Sequence, residues 1–185
     1  MVVETEAPEQ LRPSKRFEHL PLTERPLWTV LQVKSRQEKA LADDLARRGI
    51  DHYLPIVRQQ KIYGGRKLQM ELPLFPGYLF LFGTNEDIYT ADRTRRVCKI
   101  IEVPQQKRLE EELTNLKLAL ENSTSLTAYP FLKTGVQVEV CSGPLRGLRG
   151  LVEHWSRADR LILQIEMLGR AVSLEIGPAE LEAVA

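Results

Sequence analysis

Residues 72–82 read LPLFPGYLFLF. Leu79 to Phe82 is an unbroken apolar run of strand length, and Pro73, Pro76 and Gly77 just before it rule out a continuous helix. Side chains alternate between the two faces of a strand. Leu79 and Leu81 are therefore expected in the core, with Tyr78, Phe80 and Phe82 on the opposite face. If helices cover only one face of the sheet, those rings are expected to stay open. Phe75 and Pro76 would form the rim, and Gly77 would let another backbone approach closely. Aromatic side chains bury large area with few rotamers, which suits a partner surface. The plainer reading is that alternate residues of the segment are simply core. The docking surface is the expectation carried forward.

The flanking sequence supplies the rest of an α+β domain. WTVLQV, from Trp28, mixes β-branched and aromatic residues and reads as a strand. Ser35 with Glu38 three residues on predicts a helix start with a capping box, and Gly49 a left-handed stop. Gly64-Gly65 predicts a hairpin turn. Thr84 with Asp87 predicts a second helix running to about Arg93, and VCKIIEV a short strand. Leu109, Leu113, Leu116 and Leu120 step by four, three and four, which marks an amphipathic helix. The order β-α-β-β-α-β-α predicts helices against a mostly antiparallel sheet.

Residues 1–26 contain Pro8, Pro13, Pro21 and Pro26 without periodicity and are expected to be a disordered leader. The polar ENSTSLTAYP predicts a linker at residues 122–130. Beyond it the texture changes. Val136, Val138 and Val140 alternate, as do Leu161, Leu163, Ile165 and Met167, and then Val172, Leu174 and Ile176. With turns at GPLRG, SRAD, Gly169-Arg170 and Gly177-Pro178, this predicts a small β-barrel.

Composition narrows the function. Of 185 residues, 43% are hydrophobic and 28% charged, the range of a folded cytoplasmic protein. No apolar run approaches the roughly 18 residues of a membrane span. Cys98 and Cys141 lack metal-ligand or CxxC spacing and read as reduced, packed thiols. His19, His52 and His154 are isolated, no catalytic constellation is present, and GPLRGLRG lacks the Lys-Ser/Thr ending of a phosphate loop. No cofactor, metal or enzymatic activity is expected. Net charge is +1, too small for binding nucleic acid by charge alone. Residues 27–130 carry sixteen positive and thirteen negative side chains, so any such contact must be local. Arg93, Arg95, Arg96 and Lys99 form one basic cluster. Lys34 and Arg36 flank the first helix, and Arg58, Lys61, Arg66 and Lys67 surround the predicted hairpin. Solvated charge is the plain reading of all three.

WTVLQVKSRQEKA followed about fifty residues later by LFPGYLFL, then FLKTGVQVEVCSGPLRGLRGLV and MLGRAVSLEIGPAELEAV, resembles a NusG-type transcription elongation factor over residues 27–185. The resemblance implies an NGN domain at residues 27–121. A KOW domain, a five-stranded SH3-like barrel, is implied at residues 131–185. It implies a monomeric binding factor rather than an enzyme. The NGN domain would sit on the β′ clamp helices of RNA polymerase, reach towards the β subunit, suppress pausing and increase processivity. The polymerase pocket maps onto Phe75, Pro76, Tyr78 and Phe80. Gln32 stands where some relatives have an aromatic pocket residue. Thr94-Arg95-Arg96-Val97 is similar to a Thr-Arg-Gly-Val segment that contacts the non-template DNA strand in specialised relatives, with Arg96 replacing the glycine. Lys34 and Arg36 belong to the same implied DNA contact. Leu145 and Leu168 replace aromatic residues through which KOW domains bind the NusE ribosomal protein or the termination factor Rho. These departures point to a specialised NusG paralogue acting in antitermination. The alternatives are a housekeeping NusG with a role in Rho-dependent termination, and a KOW-type ribosome or RNA-binding protein.

Overall fold

The computed structural model describes residues 25–63, 66–122, 126–129, 131–133, 135–153, 160–177 and 180–184. The expected leader lies almost wholly outside these residues. So do the Gly64-Gly65 turn, the SRAD turn, Pro178, His19 and His154. The chain divides into two compact units, Met1–Gln106 and Lys107–Ala185.

In the first unit, β1 (Leu27–Val33), β2 (Asp51–Tyr53), β5 (Tyr78–Gly83) and β6 (Val97–Glu102) form an antiparallel sheet in the order β2-β5-β1-β6. Between β2 and β5, β3 (Ile56–Tyr63) and β4 (Arg66–Pro73) pair as a separate two-stranded ribbon. Helices α1 (Glu38–Arg47) and α2 (Asn85–Asp92) supply Leu41, Leu45 and Ala91 to one face of the sheet, against Leu31, Val33, Leu79 and Leu81.

The helix ends follow local chemistry. Thr84 caps α2 with Asp87 returning the bond, the expected capping box. At the end of α1, Gly49 is left-handed at φ +66. Its amide reaches the Ala46 carbonyl while Ile50 N–H reaches that of Leu45, both at 3.0 Å, a Schellman arrangement. The start of α1 differs from expectation. Its N-cap is Gln37, without a side-chain cap bond, and Glu38 is engaged elsewhere.

The opposite face of the sheet is closed rather than open. Register places Trp28 opposite Phe82, Val30 opposite Phe80 and Gln32 opposite Tyr78. Trp28 and Phe82 pack as tilted rings with centroids 5.2 Å apart. Phe80 and Val30 are fully buried and Phe75 is 4% exposed. The unbroken run Leu79-Phe80-Leu81 is that of a strand buried on both faces.

In the second unit, α3 (Gln106–Asn122) buries Leu109, Leu113 and Leu116, with Leu120 half-buried. The strands β7 (Thr127–Tyr129), β8 (Val136–Val140), β9 (Arg149–Val152), β10 (Arg160–Ile165), β11 (Arg170–Glu175) and β12 (Leu181–Ala183) form a six-stranded antiparallel sheet, ordered β12-β8-β9-β10-β11-β7. The sixth strand, β7, comes from the segment read as linker and pairs with β11. The alternation expected to continue through Met167 stops at Ile165, where Glu166–Leu168 forms one 3-10 turn ended by Gly169 at φ +57. Gly150 is required by space, since a Cβ there would lie 2.7 Å from the Ile162 carbonyl oxygen. Two α3 side chains bond this sheet's backbone. Asn115 accepts from Arg149 N–H at 3.2 Å, and Glu112 accepts from Glu166 N–H at 3.3 Å. Burial pushes the Glu112 carboxyl up to about 7, partly opposed by Arg108.

Candidate functional site

Two groups of surface turns in the first unit hold the expected site residues. The first is Phe75–Tyr78. Proline stands second and glycine third, Gly77 has φ +85, and Tyr78 N–H reaches the Phe75 carbonyl at 3.1 Å. This is the residue pattern of a type II turn. Two longer-range bonds hold it in place. The Gly77 carbonyl accepts from Val33 N–H at 2.8 Å, and Gly77 N–H donates to the buried Glu38 carboxylate at 2.7 Å. Pro76 is exposed, Gly77 and Tyr78 are half-buried, and Gln32, opposite Tyr78, is exposed. The accessible surface therefore includes Pro76, Gly77, Tyr78 and Gln32. Phe80, expected to be open, and Phe75, expected at the rim, are both buried.

The second group is basic. The backbone after β1 meets the backbone before β6 through Lys34 N–H to the Arg96 carbonyl, 2.9 Å. Lys34, Arg36, Arg93, Arg95 and Lys99 are exposed. Arg36 and Arg95 have φ values of 62 and 60, and among the described residues they are the two non-glycine residues with positive φ. Such a conformation costs an ordinary side chain about 1–2 kcal/mol.

Thr94 and Arg96 are differently placed. The Thr94 hydroxyl donates to the Ala91 carbonyl at 2.7 Å and accepts from Arg96 N–H at 3.3 Å. Arg96 Nε pairs with Asp44 at 2.9 Å and its terminal nitrogen bonds Gln37. The hydrogen bond from Arg96 and the nearby guanidinium charges hold the Asp44 carboxyl below its usual range. Arg96, the residue in place of a glycine, is thus tied into the fold. Sequence reading did not single out Asp44, because an acid on a helix surface carries no mark of a partner 52 residues away. On the hairpin, Lys67 is exposed and Arg58 pairs with Glu71 on the facing strand at 3.2 Å.

The family model described as "Transcription termination factor nusG" matches residues 26–117, which include both groups of turns. Through these residues the chain belongs to the NusG family. That membership points to a role in transcription elongation. A solved structure described as "Domain interaction in Thermotoga maritima NusG" is 19% identical, covering 87% of this chain and 98% of that one with a TM-score of 0.43. Two structures of the MjSpt4:Spt5 complex, conformations B and A, are 17% and 18% identical. They cover 86% of this chain and 97% and 99% of theirs, each with a TM-score of 0.27.

In the second unit, Leu145 and Leu168 are both half-buried, Leu145 after Pro144 and Leu168 closing the 3-10 turn. Cys141 is half-buried, its thiol 3.1 Å from the Glu180 carbonyl, whereas Cys98 is exposed rather than packed. His52 Nδ1 lies 2.9 Å from the Ile50 carbonyl. Among the described residues no group of three or more His, Cys, Asp or Glu is placed to hold a metal ion. No helix among them is long and apolar enough to cross a membrane.

Proposed function

We propose that this NusG-family chain is a transcription elongation and antitermination factor. Its residues 27–121 act as an NGN domain that docks on the β′ clamp helices of RNA polymerase and reaches towards the β subunit. The observation that carries the reading is the fixed Phe75–Tyr78 turn, which offers Pro76 and Tyr78 beside Gln32 within the family-matched residues. An apolar helix tip has there a rigid surface to cover. Phe75 and Phe80 contribute by supporting that surface. Residues 131–185 act as a KOW domain whose Leu145 and Leu168 loops recruit a further protein, the NusE ribosomal protein or Rho. Arg36 and Arg95, with Lys34, hold phosphates of the non-template DNA strand. Two strained, exposed arginines on joined turns support this contact. A role in Rho-dependent termination is the second reading, favoured by the description of the matching family.

The test is a pull-down of the β′ clamp helices by Tyr78→Ala. Tyr78 is half-buried, so the fold is expected to persist while capture is lost; undiminished capture would refute the docking role. Adding Phe80→Ala would confuse the result, since Phe80 is fully buried.

A further inference from the structure

Glu38 is among the few buried charged residues described, at 5% exposure. Its place three residues after Ser35 suggests a local task at the start of α1. Its carboxylate instead crosses 39 residues of sequence to accept the Gly77 amide at 2.7 Å. That amide is at the third position of the Phe75–Tyr78 turn. In this conformation the turn's own bond uses the Tyr78 amide and leaves the Gly77 amide unpaired within the turn. Without Glu38 this part-buried donor would have no partner shown in the structure, and the peptide joining Pro76 to Gly77 would be held less firmly. A hydrogen bond to a charged acceptor is about twice as strong as a neutral one. Glu38 thus fixes the orientation of the peptide that aims Pro76 and leads into Tyr78.

We infer that Glu38 is the positioning residue of the Pro76–Tyr78 docking turn, coupling the first turn of α1 to the partner surface. The inference rests on the polymerase-docking reading above. In it, α1 does more than cover the sheet: its first residue sets the geometry with which the turn meets the clamp helices. Rigid presentation matters because a turn that must be ordered on binding weakens association without losing any contact.

The experiment uses the full chain, with amide NMR to watch Gly77 and titration with the β′ clamp helices to read affinity. Glu38→Ala should speed hydrogen exchange at Gly77, shift its amide proton upfield, and weaken clamp binding by roughly tenfold. Glu38→Gln keeps an acceptor oxygen at the same reach and should restore Gly77 protection and most of the affinity. Glu38→Asp keeps the charge near the helix start but falls one methylene short, so it should behave like Glu38→Ala. This variant carries the test if Glu38→Ala does not fold. Unchanged Gly77 exchange in Glu38→Ala or Glu38→Asp would overturn the hydrogen bond. Loss of Gly77 protection with wild-type affinity, while Tyr78→Ala still abolishes binding, would overturn the positioning role and leave docking intact. Wild-type affinity in Tyr78→Ala would instead sink the docking reading and, with it, Glu38's proposed role there.

Discussion

The Phe75–Tyr78 turn and the paired turns at Arg36 and Arg95 lie in the same unit but stand in opposite relation to their residues. In the first, sequence and conformation agree: proline and glycine occupy the positions that want them, and Phe75 and Phe80 are buried. In the second they conflict, with two arginines held at positive φ on exposed turns. Agreement gives a rigid surface at little conformational cost. Conflict persists only when surrounding structure enforces it, and it commonly marks a site kept for function rather than stability. The contrast separates a turn that its own sequence pre-forms from one whose arginine conformations are costly to hold.

The largest expected effect tests the burial of Phe80. Phe80→Ala should destabilise the protein by about 3–5 kcal/mol, because a large side chain is removed from a fully packed site. Urea unfolding reads this directly, and a loss below about 1 kcal/mol would return Phe80 to the surface. Next comes the turn itself. A Cβ at Gly77 meets its nearest neighbour, the Val33 carbonyl oxygen, at an unforced 3.8 Å. Gly77→Ala should therefore cost about 1–2 kcal/mol through its positive φ alone. A much larger loss would mean that steric crowding, not conformation, selects glycine there.

The arginine turns should respond with the opposite sign. Arg95→Gly or Arg36→Gly relieves the left-handed strain, while glycine's freedom in the unfolded chain offsets part of the gain. The expected outcome is a net stabilisation of up to about 1 kcal/mol, accompanied by weaker crosslinking to single-stranded DNA. A destabilised Arg95→Gly with unchanged crosslinking would remove the contrast, leaving Arg95 a structural residue.

How much of this was legible in sequence follows the same division. β1, α2 with its capping box, the Gly49 stop and the leucine stripe of α3 all announce themselves, because each depends on neighbours a few residues away. β10 and β11 are legible for the same reason, as alternating strands on either side of the Gly169 turn. The burial of Phe80 is not, since alternation assigns faces but does not say whether both are covered. Glu38 looks like a helix cap because its spacing from Ser35 is local, whereas its partner is distant. Thr127–Tyr129 looks like linker because its pairing with β11 is supplied from elsewhere in the chain. The φ of Arg36 and Arg95 has no signal, arginine being an ordinary turn residue. Of the expected basic site, sequence marks the cluster but not the sequestration of Arg96 by Asp44.

That sequestration gives the smallest effect, and it distinguishes Arg96 from its exposed neighbours. The hydrogen bond from Arg96 lowers the Asp44 carboxyl below its ordinary value of 3.8. Ionised Asp44 is thus favoured in the folded state, and the stability it contributes is fully present above the unfolded pKa. It is lost as pH falls through the lower folded value. Glu112 works in another window and with the other sign. Its pKa is raised from 4.5 to about 7, so stability falls as pH rises between those values. Because the windows do not overlap, the difference between wild type and Asp44→Asn in acid unfolding isolates the Asp44 carboxylate with its Arg96, Arg47 and Arg48 partners. Asp44→Asn should flatten the profile below pH 3.8 and leave the interval from 4.5 to 7 unchanged. It should also remove the charge that holds the Arg96 guanidinium, which keeps its bond to Gln37, and strengthen single-stranded DNA binding slightly at low salt. A variant that alters the acid profile without strengthening DNA binding would show that the exposed arginines already complete the contact, with Arg96 confined to joining its turn to α1.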